Sequence, residues 1–127
     1  MIASRGRHQR LPRARRLTRS ADIQAILRRG KRSRTVHLDV FDAVSPVSHP
    51  RVGVVVPRHR HAIVERNLVK RRIREAIRRE IMPRMAELEL AVDVLVRARR
   101  EAYGVPFAAL RDELLGWFDH RWSRASS

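Results

Sequence analysis

Hydrophobic and polar positions recur with two different periods along the chain, and the changes of period predict where helices and strands lie. Ile23, Ile26 and Leu27 recur at the spacing of a helix. Ser20 precedes them as a suitable N-cap, and Gly30 follows where a left-handed C-terminal turn would end the helix. A first helix of about ten residues is therefore predicted.

From Thr35 onward the period of the pattern changes to two. Val36, Leu38 and Val40 alternate with other residues, which is typical of a strand with one buried face. Phe41 falls on the opposite side of this strand and is therefore expected to point outward.

Two continuous apolar runs, residues 52–56 and 91–96, predict strands that are covered on both faces. The first run follows a turn region rich in serine and proline, and Pro57 stops it. Residues 58–61, directly after this proline, are predicted to form a basic loop.

The longest helical pattern covers residues 63–82 and is expected to end at Pro83, because proline does not continue a helix interior. Its apolar side chains form one stripe toward the core: Val69, Ile73, Ala76 and Ile77. An adjoining arc of roughly 140° is polar and almost purely cationic: Arg66, Asn67, Lys70, Arg71, Arg74 and Arg78. Residues 106–121 predict a last helix with these residues toward the core: Phe107, Leu110, Leu114, Trp117 and Phe118.

The order of these elements, α-β-β(-β)-α-β-α, predicts an α+β fold, a small two-layer α/β sandwich with helices packed on a sheet of three to four strands. Residues 17–122 are expected to form this single domain. The arginine-rich residues 1–16 are expected to be a flexible basic arm, and residues 123–127 a disordered tail.

The balance of charge adds a partner to this picture. The chain has 29 Lys and Arg against 13 Asp and Glu, a formal charge of +16, and such a chain repels itself unless an anionic partner neutralises it. Almost all of the cations are arginine, which grips phosphate with two N–H groups and stacks on bases, so RNA is favoured. The absence of cysteine excludes a disulfide framework and a thiolate zinc site, and it is compatible with the cytoplasm.

The cationic arc of the long helix is the main candidate for function. Solvated helix faces usually mix both signs of charge, whereas residues 58–79 contain nine Lys or Arg and two Glu. Pairs of like charge four residues apart, such as Lys70 and Arg74, each cost about 0.2–0.5 kcal/mol in an isolated helix. The arc is therefore predicted to bind RNA phosphates.

The residues of this arc resemble the Arg-Asn-Arg signature helix of bacterial ribonuclease P proteins, here in the form Arg66-Asn67-Leu68-Val69-Lys70-Arg71. Other landmarks occur in the order found in that family: residues 11–17, a helix start at residues 20–23, Gly30, and Pro50-Arg51-Val52-Gly53 before a valine-rich strand. The resemblance covers about residues 11–120.

Three positions depart from the family pattern. Leu68 stands at the second arginine of the signature, so one phosphate contact is expected to be missing. Ile23 and Leu27 stand where the family usually has aromatic residues, so apolar contact would have to replace stacking on bases. Pro57 stands before Arg58 where the family tends to have a polar or basic residue.

The resemblance implies the protein subunit of ribonuclease P, which binds a catalytic RNA and promotes endonucleolytic removal of the 5′ leader from precursor tRNA. The catalytic RNA would contact Arg66, Asn67, Lys70, Arg71, Arg74 and Arg78. The single-stranded leader would lie between the first helix and the sheet, against Ile23, Leu27, Phe41 and Arg58. An outward Phe41 suits stacking on an unpaired base, and packing under a neighbouring helix is its alternative. For Ile23 and Leu27, packing in the core is favoured over contact with the leader.

The resemblance also implies that the protein contributes no catalytic side chain and binds no metal alone, since the chemistry would belong to the RNA subunit with Mg²⁺. One protein per RNA, a cytoplasmic location, and neither a membrane nor a small-molecule substrate are expected. His59 and His61 have no third metal ligand of matching type nearby in the sequence. Four acidic residues show no spacing of a two-metal nuclease centre: Asp22, Asp39, Asp42 and Asp93.

Other classes of protein share part of this pattern. A structural RNA-binding protein of the ribosomal type would have the same size, charge and basic arm. A DNA-binding regulator would place the long helix in a major groove, but Asn67 is nearly alone on that face as a base-reading side chain. A protein-only nuclease would need an acidic cluster. The ordered landmarks favour the ribonuclease P family over all three.

Overall fold

The structure, a computed structural model, describes residues 12–58 and 60–122 of the chain. Helix α1 covers Ser20–Arg29, and strands β1, β2 and β3 cover Lys31–Arg34, Leu38–Val44 and Arg51–Val55. Helix α2 covers Ile63–Ala76, a π-helical turn follows at Ile77–Ile81, and helix α3 covers Met82–Glu87. Strand β4 covers Val92–Ala98 and helix α4 covers Phe107–Arg121. The arm up to residue 11, His59 and the tail 123–127 lie outside the described residues.

The four strands form one sheet in the order β1-β2-β4-β3. Strand β2 is antiparallel to both β1 and β4, whereas β3 runs parallel to β4 and is joined to it through α2 and α3. The predicted α+β fold is confirmed, and the sheet has the larger of the two predicted numbers of strands. Strand β1 has the sequence KRSR, in which no apolar period marks a strand.

The first face of the sheet carries the main core, because the apolar stripes of α2 and α4 pack on it. Val40 lies opposite Val96 in the register of β2 and β4. The predicted stripe of α2 is buried here, with Ile73 fully buried. From α4 the main contributors are Leu110, Leu114, Trp117 and Phe118.

The second face of the sheet carries a smaller core beneath α1. Phe41 lies opposite Leu95 in the register, and Leu17 and Ile26 pack against them. Strand β2 is therefore covered on both faces, although its sequence alternates in the manner of a strand with one buried face. This second cover places α1 on the opposite side of the sheet from α2 and α4.

The chain before α1 joins the sheet along the outer edge of β3. Leu17 donates its backbone N–H to the Val52 carbonyl at 2.8 Å, and Arg16 forms an isolated bridge with Val52. Gly53 permits this approach, since a Cβ atom there would lie 2.8 Å from the Leu17 carbonyl oxygen. Residues 12–16, predicted to belong to the flexible arm, are thus positioned against β3 in the structure.

Several predicted boundaries are wrong. Val36 is 70% exposed and lies in the turn before β2, where the Arg99 guanidinium holds the carbonyls of Thr35 and Val36 at 2.8 Å. Ser20 starts α1 without capping it, since Arg19 is the N-cap. Gly30 has a φ of −69°, so the predicted left-handed turn does not form there. The glycine instead permits close packing, because a Cβ atom would lie 2.6 Å from the Ile26 carbonyl oxygen.

The long helix also does not end at Pro83. Proline lacks the N–H of a regular helix, and its ring would meet the carbonyl one turn earlier. The π-helical turn at Ile77–Ile81 is wider than an α-turn and precedes the proline, so α3 continues the helical direction to Glu87. Ile81 and Met85 are buried in the core, which holds this continuation in place.

In the described part of the chain, no helix combines the length and the apolar character that crossing a membrane requires.

Candidate nucleic-acid interface

The cationic arc of α2 is exposed to solvent in the structure. Asn67, Arg71 and Arg74 are exposed, and Lys70 is half-buried at its base. Within the described residues, Lys70, Arg71 and Arg74 have no ion-pair or hydrogen-bond partner for their cationic groups. The apolar stripe on the same helix is buried, so the arc is anchored to the core and presents its charges at fixed helical spacing.

Other arginines of this helix are engaged within the protein. Arg78 forms an ion pair with Glu75, although the sequence places it in the cationic arc. On the opposite flank, Arg72 donates to the Val105 carbonyl at 2.8 Å, and Arg79 lies 5.6 Å from the centre of the Phe107 ring. The cations of the helix therefore divide into a group available to a partner and a group engaged within the protein.

The start of α2 is fixed by contacts that the sequence does not reveal. The Ala62 amide donates to Glu65 at 2.9 Å, and this bond together with the one between His61 and Glu65 lowers the pKa of the Glu65 carboxyl. The His61 ring stacks on Tyr103 at 3.6 Å, and the Tyr103 hydroxyl donates to the Pro57 carbonyl at 2.9 Å. The loop before the helix is thus tied to the segment after β4.

Arg66, at the first position of the signature, lies beside this stacked pair. Burial raises the pKa of the Tyr103 hydroxyl, and the nearby positive charge of Arg66 partly offsets this rise. The Nε atom of Arg66 is buried and has no hydrogen-bond partner among the described residues. A buried donor without a partner costs free energy, of order 1–3 kcal/mol. A ligand that reaches Arg66 would remove this cost.

A narrow groove of about 230 Å³ connects the cationic arc with α1 across the edge of β3. Lys70 and Arg74 line one side, and Ile23 and Thr18 line the other. Gly53 lies in its floor. The groove brings part of the predicted RNA face next to part of the predicted leader surface.

The predicted leader residues are only partly accessible. Ile23 and Leu27 are half-buried against the small core of the second face. Phe41 is 4% exposed, so the prediction of an outward aromatic available for stacking is wrong. The reason is the second cover of the sheet: α1 packs over one side of the ring, and the guanidinium groups of Arg32 and Arg97 lie 5.9 and 5.1 Å from its centre.

Arg58, the fourth predicted leader residue, is exposed directly after Pro57. Pro57 borders a group that sequence reasoning missed, in which Arg32, Arg34 and Arg97 surround the buried carboxylate of Asp39. Arg97 and Asp39 become neighbours only through the pairing of β2 with β4, so no spacing in the sequence indicates the group.

The four aspartates considered as nuclease ligands are each paired with arginine. Asp93 binds Arg51 through two contacts of 2.9 and 2.7 Å, and Asp22 lies 3.4 Å from the same guanidinium. Asp42 accepts two bonds of 3.1 Å from Arg121. Among the described residues, no three side chains of the types that ligate metals lie close enough together to hold an ion.

The family of the chain follows from comparison with known proteins. The family model described as Ribonuclease P matches residues 11–121. The chain belongs to the ribonuclease P protein family. The ribonuclease P protein component of Syntrophobacter fumaroxidans is 36% identical over 108 residues, which are 85% of this chain and 88% of the relative. That of Acidothermus cellulolyticus is 35% identical over 111 residues, with 84% and 89% covered.

Solved structures of ribonuclease P proteins share the fold. The Staphylococcus aureus protein superposes with a TM-score of 0.71 and 25% identity, covering 87% of this chain and 97% of that one. The Thermotoga maritima protein gives 0.64 and 25% identity, covering 87% and 94%. As a member of this family, the chain is an RNA-binding protein of tRNA processing, with a role in an endoribonuclease complex and a partnership with the ribonuclease P RNA.

Proposed function

We propose that this ribonuclease P protein binds the catalytic RNA with the cationic arc of α2 and holds the 5′ leader of precursor tRNA on the second face of the sheet. The proposal rests on the cationic groups of Lys70, Arg71 and Arg74, which have no ion-pair or hydrogen-bond partner among the described residues. Their helix is anchored to the core by its apolar stripe. These charges recur at the spacing of one helical turn, which suits contact with successive phosphates of a folded RNA.

The leader would lie beside α1, where Ile23 and Leu27 offer half-buried apolar side chains and Arg58 offers a cation. Apolar contact of this kind favours unpaired bases without reading their identity. The groove across the edge of β3 supports this arrangement, because Ile23 of the leader surface and Lys70 and Arg74 of the cationic arc line the same groove. Leader and catalytic RNA would thus meet on one protein.

The protein would promote cleavage by positioning and by charge neutralisation. Two polyanions that approach each other repel, and a chain of charge +16 between them lowers this cost. Holding the leader next to the RNA subunit also reduces the entropy lost when the reacting groups meet. The engagement of Asp22, Asp39, Asp42 and Asp93 with arginines supports a division in which the RNA subunit and its Mg²⁺ carry out the hydrolysis.

The expected holoenzyme contains one protein per RNA. We also propose that it works in the cytoplasm, on precursor tRNA. Neither a membrane nor a small-molecule substrate enters this function.

The test is cleavage of precursor tRNA at low Mg²⁺ by a bacterial ribonuclease P RNA, with and without the protein. We expect cleavage at the mature 5′ end to require both components, and an Arg66→Ala, Lys70→Ala, Arg74→Ala triple variant to lose the stimulation. Cleavage by the protein alone, or no stimulation of a cognate RNA by the wild type, would overturn the proposal.

A further inference from the structure

A groove of about 640 Å³ lies between strand β1 and helix α4, beside the outer edge of the sheet. Lys31 and Val36 belong to its strand side, and Gly116, Trp117 and Arg121 belong to its helix side. We call it the β1–α4 groove. Strand β1 comes first in the order of the sheet, so its outer edge has no neighbouring strand in the described part of the chain. The groove therefore borders an open sheet edge.

The open edge of β1 presents backbone donors and acceptors. The Thr35 N–H bonds to the Leu38 carbonyl at 2.8 Å, across the turn between β1 and β2. In an antiparallel ladder, residues alternate between those that bond to the partner strand and those that do not. Two residues before Thr35, Ser33 therefore directs its backbone groups toward β2, whereas Arg32 and Arg34 direct theirs outward. Such an edge is a template for a further strand.

Gly116 lies within α4, in the wall of the β1–α4 groove. Glycine weakens a helix interior relative to alanine, so its presence there needs a reason. Packing gives none, because a Cβ atom at this position would meet no described atom within 4 Å. The backbone of this helical residue does not need glycine either. What the glycine provides is close access to the α4 backbone for a molecule in the groove.

Trp117, the next residue of α4, supplies an unused hydrogen-bond donor. Its side chain is almost completely buried, and its Nε1 atom has no hydrogen-bond partner within residues 12–58 and 60–122. A buried donor of this kind costs free energy, which a carbonyl or carboxylate oxygen placed against it would recover. Across the groove, the exposed side chain of Val36 offers an apolar contact.

The charged residues of the β1–α4 groove favour an anionic occupant. Lys31 is exposed, and no described residue forms an ion pair with it. Arg121 is held in place by two bonds of 3.1 Å to Asp42. Glu113 also lines the groove, but its carboxylate accepts the His37 backbone N–H at 2.8 Å and contacts the ring of the same histidine at 2.7 Å. The acid is thus engaged within the protein, whereas a cation remains available.

We propose that the β1–α4 groove binds an extended acidic peptide segment of a partner protein, which adds a strand to the open edge of β1. A peptide backbone alternates N–H and carbonyl groups, which matches the outward groups of Arg32 and Arg34. The phosphates of an RNA strand only accept hydrogen bonds and would leave the outward carbonyls of β1 unpaired. A second copy of this chain is disfavoured, because its own open edge has the sequence KRSR.

This binding surface goes beyond the proposed function. The β1–α4 groove shares no residue with the cationic arc or with the four predicted leader residues. A protein partner bound there would therefore leave both RNA-binding surfaces free and would connect the holoenzyme to a second protein.

The first test uses the holoenzyme, assembled from this protein and a ribonuclease P RNA. The probe is a fluorescent synthetic peptide in which glutamate and valine alternate, and the control peptide has lysine in place of glutamate. Fluorescence anisotropy should show saturable binding of the acidic peptide and at least about tenfold weaker binding of the lysine peptide. Absence of saturable binding of the acidic peptide would show that the proposal is wrong.

A Gly116→Ala variant separates the groove from the overall charge of the protein. It keeps every charge and adds one methyl group to the groove wall. We expect binding of the acidic peptide to weaken about tenfold, while the Tm of the protein rises by about 2 to 5 °C because alanine favours the helix. A purely structural role of Gly116 would change the Tm without this loss of affinity.

The matched control is Ala108→Ser, which adds one atom at an exposed position of α4 outside the groove. It should bind the acidic peptide with the wild-type affinity. Both variants should cleave precursor tRNA at the wild-type rate. Unchanged peptide affinity in Gly116→Ala, or an equal loss in both variants, would exclude the groove as the binding site.

N-methylated peptides test the added strand itself. One version of the acidic peptide carries N-methyl groups on its valines and the other carries them on its glutamates. Because a strand directs alternate N–H groups to opposite edges, only one of the two versions should lose binding. Equal affinities of the two versions would contradict strand addition.

The remaining outcomes identify another occupant and overturn the peptide. If oligouridylate displaces the acidic peptide and Gly116→Ala weakens both ligands equally, the groove is an RNA surface. If sedimentation shows that the wild-type protein self-associates and Gly116→Ala does not, the groove binds a second copy of the chain.

Discussion

The cations of the long helix and the arginines of the sheet lie in two different environments. On α2, Lys70, Arg71 and Arg74 present cationic groups without a partner among the described residues. On the sheet, Arg51 and Arg97 contact the buried carboxylates of Asp93 and Asp39. The cations of the first group repel one another in the free protein, whereas the arginines of the second group contribute to the stability of the fold.

A charge of +16 thus includes cations with different roles. Cations that contact a buried carboxylate cannot be removed without leaving that carboxylate uncompensated, so their loss should reduce stability. Cations that face only water have little influence on folding and retain their donors for phosphate. The partner of each arginine, rather than the number of arginines, therefore separates the RNA-binding face from the scaffold.

The largest expected effect tests the helix side of this comparison. The Arg66→Ala, Lys70→Ala, Arg74→Ala variant should bind the isolated ribonuclease P RNA a few hundredfold more weakly, about 3–4 kcal/mol for three charged contacts. The slope of log affinity against log salt should fall by about 2 to 3, because three phosphates are no longer neutralised. A salt titration of RNA binding measures both quantities.

The matched control lies on the same helical segment. An Arg72→Ala, Arg79→Ala, Arg84→Ala variant loses the same charge, but these arginines contact Val105, Glu75 and Glu80 within the protein. We expect its RNA affinity to stay within a few-fold of the wild type and its stability to fall. Equal losses of affinity in the two triple variants would show that net charge, rather than the arc, determines binding.

The next effect tests the sheet side. Arg51→Ala leaves Asp93 and Asp22 without their cation, and we expect the free energy of unfolding to fall by about 2–3 kcal/mol. The side chain of Arg51 is 14% exposed, so this value is taken below the range for fully buried pairs. Chemical denaturation measures the loss. RNA affinity per folded molecule should change less than threefold, and a large loss of affinity at unchanged stability would contradict the distinction.

Much of the fold could be predicted from periodicity, because helices and strands with one apolar stripe determine their own faces. The long helix is an example: its stripe at Val69 and Ile73 is buried as predicted, and its cationic arc is exposed. The failures arise where tertiary contacts override the local pattern. Strand β1 forms by pairing with β2 although its sequence is KRSR, and Phe41 is buried because α1 covers the second face.

The candidate site could be predicted only where its residues are close in the sequence. The arc depends on the spacing within one helix, which the sequence contains. The group of arginines around Asp39 depends on the register between β2 and β4, which places Asp39 opposite Arg97 from a distant part of the chain. No local pattern encodes that register, so the cluster could not be found without the structure.

A third prediction concerns the dependence of stability on pH. In the Asp39→Asn variant, Arg32, Arg34 and Arg97 lose their shared carboxylate, and we expect a loss of about 1–2 kcal/mol at neutral pH. Since folding lowers the pKa of Asp39 below the ordinary value of 3.8, its contribution is fully present above that value and is lost as the pH falls through the folded pKa. The difference between wild type and variant should therefore shrink below pH 3.8.

Denaturant unfolding at neutral pH and well below 3.8 measures this difference. A difference that stays constant across the two conditions would show that the Asp39→Asn substitution acts through packing rather than through the lost charge. Glu87→Gln at the end of α3 is a suitable control, because Glu87 is exposed and its substitution should have little effect on stability.

The smallest effect is a gain on the helix side, at the position where the signature lacks its second arginine. Leu68 is 39% exposed and follows Asn67 at the edge of the cationic arc. Because its side chain is not part of the core, Leu68→Arg should add a phosphate contact at little cost in stability, strengthening binding to ribonuclease P RNA by about fivefold and raising the salt slope by about 1. Leu68→Gln, which removes the apolar side chain without adding charge, should not strengthen binding. If the arginine weakens binding instead, Leu68 itself contacts the RNA through its apolar surface, and the RNA-binding face extends beyond the cations.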